Sequence, residues 1–176
     1  DLHEKRVRFI GDANKRIKED YIRILRFFRF SAWYSDPKNG FDPDTLYAIT
    51  QNLQGLQKLS RERISVEIIK LLAAPNPAPT VTTMQNTGVL KSIIADANDR
   101  LLPKLIEYEK TSHTGPNPIR RLAAIGGPSL QKNLRLKKQH TKELESLHQH
   151  INTTIQAHEL GYRLGENIAR SILLLR

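Results

Sequence analysis

Apolar residues recur along this chain at intervals of three and four, and strict alternation is confined to one short stretch. That spacing predicts helices and an all-α fold. The first stripe is Ile17, Tyr21, Ile24 and Phe28, on a helix expected over residues 19–34 after a short piece at 13–17 capped by Asp12. Residues 35–40 collect breakers and must turn. Asp42-Pro43 supplies a cap and a first-turn proline for a helix through Leu46, Ile49 and Leu53, interrupted at Gly55. Ser60 can cap a helix over 61–73 whose inward stripe is Ile64, Ile68, Leu71 and Leu72. After Pro75, Pro77 and Pro79, further helices are expected at 80–85, 89–94, 100–110, 119–125, 141–156 and 159–175. The alternating stretch, Val7-Arg8-Phe9-Ile10, reads as an extended arm ending in a turn at Gly11-Asp12. The break at 111–118 is the best candidate for a subdomain boundary, and a second break at Gly126-Gly127-Pro128-Ser129 is not a phosphate-gripping loop.

Polar positions on the first long helix change this picture. Asp20, Arg23, Arg26 and Arg29 follow one another by three, so each is displaced about 60° from the last. They predict a slowly winding ribbon of one carboxylate and three guanidiniums, able to hold an anion. Charge points the same way: Lys plus Arg is 28 against 18 for Asp plus Glu, a formal net charge of +10. Such an excess favours a polyanionic partner, nucleic acid first. A second basic cluster comprises Arg120, Arg121, Lys132, Arg135, Lys137 and Lys138, where phosphate contact needs charge and reach rather than an exact motif.

Cysteine is absent, which removes disulfides and thiolate metal sites. The six histidines show no ligand spacing, and no metal site is expected in the chain. No apolar run approaches the roughly 18 residues of a membrane span, and no signal-peptide pattern is seen. A cytoplasmic protein without membrane partner is expected, and oligomeric state is not legible.

The residues Glu19-Asp20-Tyr21-Ile22-Arg23, then Arg26, Arg29 and Phe30, preceded by the arm with Arg8, resemble the nucleobase-reading region of bacterial class II tRNA nucleotidyltransferases and bacterial poly(A) polymerases. A second stretch, Leu59 to Lys70, resembles the motif Ile-Ser-x-Glu-Arg-Ile-x-x-Glu-x-x-Lys that braces the base-reading helix in that family. The resemblance implies that Asp20 and Arg23 hydrogen-bond the base edge of incoming ATP or CTP, with Arg26 and Arg29 beside them and Glu19, Arg8, Glu62 and Arg63 in support. Chemically, an acceptor-only Asp next to a donor-only Arg complements a base edge. On one helix, i and i+3, both would reach the same side.

The resemblance also implies a division into the end of an arm (1–12), a neck (13–74), a helical body (75–115) and a body or tail (116–176) that holds tRNA or another RNA 3′ end. Family members bind Mg²⁺ through an Asp-x-Asp pair in an N-terminal head. Asp42-Pro43-Asp44 follows no suitable turn and reads as a helix start, so Mg²⁺ and catalysis are expected to reside in a head outside this sequence. Three functions compete: the base-selecting and RNA-binding portion of an enzyme adding CMP and AMP, or AMP alone, to RNA 3′ ends; a non-catalytic RNA-binding module; and a helical scaffold for an acidic protein.

Overall fold

A computed structural model describes residues 6–127 and 129–176. Twelve α-helices, and no strand, occur among the described residues: α1 (Ala13–Glu19), α2 (Ile22–Tyr34), α3 (Pro43–Gln51), α4 (Arg61–Leu72), α5 (Ala78–Asn86), α6 (Val89–Ile93), α7 (Leu102–Thr111), α8 (Pro118–Ile125), α9 (Leu130–Asn133), α10 (Lys138–His150), α11 (Ala157–Leu164) and α12 (Glu166–Leu175). The 3₁₀ turns Pro37–Asn39 and Leu53–Lys58 flank α3. Predicted caps hold. Asp12 accepts from the Lys15 N–H at 2.9 Å, Asp42 from Thr45 N–H at 2.9 Å and Ser60 from Arg63 N–H at 3.3 Å, each satisfying an orphan donor of a first turn.

Two expected helices are broken. Residues 159–175 divide at Gly165, whose φ of 83° lies where a side chain would be strained. The reading helix over 19–34 divides at Asp20 and Tyr21, between α1 and α2. Asp20 takes an extended conformation and turns its carboxylate to the Ile22 N–H at 3.2 Å, a local bond of the kind that draws Asp out of helix interiors. Tyr21 lies over Gly55, and a Cβ on that glycine would fall inside the tyrosine ring. Close approach of this ring fixes the elbow.

One apolar cluster runs through the described helices, from Ile17 and Phe28 through Ile68, Leu72, Met84 and Leu122 to Leu147 and Ile172. Full burial of a side chain such as Phe28 stabilises by about 1.5–3 kcal/mol. The arm obeys its alternation: Val7 and Phe9 pack on the core, and Phe9 stacks on Phe27 at 5.6 Å between centroids. Residues 1–5, the first part of the arm expected from the sequence, and Pro128 of the second break lie outside the described residues.

α4 packs alongside α2, and the two run in the same direction. Asp20 meets Arg63, Arg26 and Arg29 meet Glu67, and Trp33 meets Lys70, so numbers rise together along both. This parallel pair carries the site.

Candidate nucleotide and RNA interface

At the elbow, Asp20 and Arg23 do not share a helix face as their spacing suggests. Asp20 precedes α2 and Arg23 lies in its first turn, where its N–H donates to the Asp20 carbonyl at 3.0 Å. Their side chains have separate partners. Asp20 Oδ2 accepts from Arg63 Nη2 at 2.7 Å, and Oδ1 from Ile22 N–H. The Arg63 hydrogen bond is the main cause that holds the Asp20 carboxyl below its ordinary pKa, burial opposing it. Arg23 spends Nη1 on the Arg16 carbonyl at 3.0 Å and on the Glu19 carboxylate. Its Nε and Nη2 meet no partner among the described residues. An ionised carboxylate, still able to accept, therefore stands one turn from a guanidinium edge able to donate.

The rest of the ribbon shares one carboxylate, which the largely buried Arg29 engages closely and the half-exposed Arg26 only at longer range. Arg29 Nη1 lies 2.9 Å from Glu67 Oε2, and Arg26 Nε 3.6 Å from Glu67 Oε1. Glu67 is buried on α4, so the arginines that face it serve to dock α2 on α4. Of the supporting residues, Arg63 reaches the elbow as the bracing motif implies. Glu62 turns the other way, 3.7 Å from Arg135 Nε, both side chains exposed. Arg8, with Arg6, contributes positive potential at Asp42 rather than at Asp20. Asp42 caps α3, as expected of a helix start. No group of three His, Asp or Glu able to hold a metal occurs among the described residues.

The second basic cluster divides. Lys132, Arg135, Lys137 and Lys138 are exposed around α9 and the start of α10, with the Arg135 N–H donating to Ser65 Oγ at 2.8 Å. Arg120 and Arg121 are 3% and 2% exposed, so they cannot belong to a phosphate-binding surface. Both grip the buried Glu109: Arg120 donates through Nε and Nη2 to Oε1 at 2.9 and 2.7 Å, and Arg121 through Nε and Nη2 to Oε2 at 3.0 and 2.7 Å. Arg121 Nη1 also donates to the carbonyls of Leu72 and Ala74 at 2.7 and 2.6 Å, which terminate α4 with orphan acceptors and a negative dipole end. One carboxylate and two guanidiniums thus join α4, α7 and α8.

The buried Glu109 is not among the site residues expected from the sequence, yet it and its two arginines left a signal there. Glu109 continues the apolar stripe Leu102, Leu105, Ile106 at the next inward position. α8 is buried along residues 119–125, so arginines within its apolar sequence had to be buried as well.

Residues 40–101 match the family described as "Probable RNA and SrmB- binding site of polymerase A". The chain is 39% identical over 129 residues to the Homo sapiens CCA tRNA nucleotidyltransferase 1, mitochondrial, covering 71% of this chain and 29% of that protein. It is 35% identical over 89 residues to the CCA-adding enzyme of Levilactobacillus brevis, covering 51% of this chain and 22% of the enzyme. In fold it resembles a solved CCA-adding enzyme in an apo form, with a TM-score of 0.63 and 16% identity over 92% of this chain and 44% of that one. It therefore spans less than a third of the human and Levilactobacillus enzymes. In its motifs, its family match and its helical fold the chain is similar to part of the class II CCA-adding enzymes.

Proposed function

We propose that this chain is the nucleobase-selecting and RNA-binding helical portion of a template-independent nucleotidyltransferase that adds CMP and AMP, or AMP alone, to RNA 3′ ends. The observation that carries the reading is the elbow, where Asp20 and Arg23 are braced separately by Arg63 and Glu19 and keep an acceptor and a donor one turn apart. A base edge of ATP or CTP offers the complement, and a wrong base would leave one of these groups unpaired. Arg26 and Arg29 position the reader through Glu67. The division into arm, neck (13–74), body (75–115) and body or tail (116–176) belongs to this proposal. So does Mg²⁺ bound by a head domain, since the carboxylates present do not suit it. A cytoplasmic location is also part of it, with the mitochondrial relatives of human and mouse setting the alternative. No described helix is long and apolar enough to cross a membrane.

RNA would meet the exposed cluster of Lys132, Arg135, Lys137 and Lys138. The test is binding of a tRNA that ends before its CCA to the purified chain, followed by fluorescence anisotropy across a salt series. Affinity is expected to fall on the order of tenfold or more between low and physiological ionic strength. Replacing Arg135, Lys137 and Lys138 together by Ala should weaken it without loss of helix content. Binding indifferent both to salt and to that triple change would sink the proposal.

A further inference from the structure

At the far end of the α2–α4 seam from the elbow lies a cluster that neither base reading nor the basic surface uses. Phe30, Trp33 and Tyr34 are 41%, 42% and 60% exposed on consecutive turns of α2, beside Arg29 and Lys70. Exposed aromatics gathered so closely are unusual on a free surface, and single apolar side chains are what a surface ordinarily shows. They are also pre-ordered. Trp33 Nε1–H donates to the Lys70 carbonyl at 2.8 Å, the Arg29 guanidinium sits 4.4 Å from the centre of the Phe30 ring, and Phe30 stacks with Tyr34 at 6.1 Å. With its one polar hydrogen spent, Trp33 has only ring face to offer. Lys70 is exposed and its ammonium has no ion-pair partner among the described residues.

We infer that Phe30, Trp33 and Tyr34, with Lys70, form a stacking platform for unpaired nucleotides of the RNA whose 3′ end lies toward Asp20. Ring faces held rigid beside a cation are the combination that binds single strands, because every base has a π-face and every nucleotide a phosphate. Geometry supports the order. From Ile22 to Trp33 the axis of α2 rises roughly 16 Å, about five base steps at 3.4 Å, and half-exposed Arg26 lies between as a further phosphate partner. Duplex RNA would not use such a surface, since its bases are already stacked on one another. The inference rests on the RNA-binding reading above.

Trp33 is the only tryptophan of the chain, so its emission reports on the platform directly. The experiment titrates the 176-residue chain with a ten-nucleotide oligoadenylate and with the same strand annealed to its complement, while anisotropy follows labelled tRNA in parallel. Saturable quenching by the single strand and not by the duplex is expected. Tyr34→Ala, at the most exposed of the three rings, should weaken oligoadenylate binding roughly 5- to 150-fold, the equivalent of one stacked base. Trp33→Phe should abolish the fluorescence change, which shows that the signal followed is that of the platform. Quenching by duplex as strong as by single strand overturns the inference. So does tRNA binding that leaves Trp33 emission unmoved, which would reassign the rings to a protein contact while the RNA reading stands. If no RNA binds the chain at all, both readings fall.

Discussion

Asp20 Oδ2 accepts a hydrogen bond from Arg63 Nη2 at 2.7 Å, across 43 residues of chain. This pair ties the turn between α1 and α2 to the first helical turn of α4, and it is the link on which base selection by Asp20 would depend. Arg63→Met removes the donor and keeps the aliphatic stem. The Asp20 carboxyl should then titrate closer to its ordinary value of 3.8, that is, at higher pH than in the native chain. Carboxyl chemical shifts followed through an acid titration measure this directly, and an unmoved Asp20 would mean that the Ile22 N–H and the Arg26 charge set its pKa without Arg63.

In a parent enzyme carrying the head domain, Asp20→Ala and Arg23→Ala should raise misincorporation more than they weaken triphosphate binding. A base edge left without a partner costs about 1–3 kcal/mol. Arg29→Ala should instead leave Glu67 buried without its closer guanidinium, 2.9 Å away, and lower incorporation of every nucleotide alike. Single-nucleotide incorporation with ATP, CTP, GTP and UTP distinguishes the two patterns.

Glu109→Gln should be among the most damaging single changes. It strips the charge from the one carboxylate between Arg120 and Arg121, both nearly inaccessible to water, and breaking a buried pair on one side costs about 3–5 kcal/mol. Urea denaturation should show a midpoint lowered accordingly. A variant as stable as the native chain would mean that the carbonyls of Leu72, Ala74 and Gly115 suffice for the guanidiniums.

Gly55→Ala tests the elbow from the opposite side. The added methyl occupies the place of the Tyr21 ring, and overpacking of this kind costs roughly 1–3 kcal/mol. Thermal unfolding should fall by an amount that Tyr21→Ala in the same chain largely relieves, because the smaller side chain vacates that space.

Burial holds the pKa of His148 below its ordinary 6.5. The unfolded chain therefore takes up this proton at a higher pH than the folded one. Its share of stability is complete above about pH 6.5 and is lost as pH falls from there toward the lowered folded value. Denaturant midpoints of the native chain and of His148→Asn, compared between pH 8 and 5, should diverge in slope over that interval, the native chain losing more.

Much of this was legible in the sequence. Helical period, Asp and Ser caps and proline starts located nearly every helix, because these are local features decided within one turn. What escaped was decided between helices. Asp20 to Arg29 reads as a continuous ribbon only if Asp20 stays helical, and the choice was made by Tyr21 seating itself on Gly55, more than 30 positions away. The charge of Arg120 and Arg121 argued for the surface, while the burial of α8 drew them inward to Glu109. A tally of charges counts guanidiniums without seeing which have already met a carboxylate.

α4 is held at both ends by arginine: Arg63 in its first turn fastens Asp20, and the carbonyls of Leu72, its last residue, and of Ala74 just beyond are fastened by Arg121. A helix of 12 residues about 18 Å long is stiff over that distance. It therefore works as a push-rod. An axial shift of α8, whose neighbour α10 begins among the exposed lysines, would arrive at the elbow as a shift of Arg63 and thus of the carboxylate that Arg63 holds. Under the proposed function, engagement of an RNA backbone at one end would then be coupled to the setting of the base-reading groups at the other.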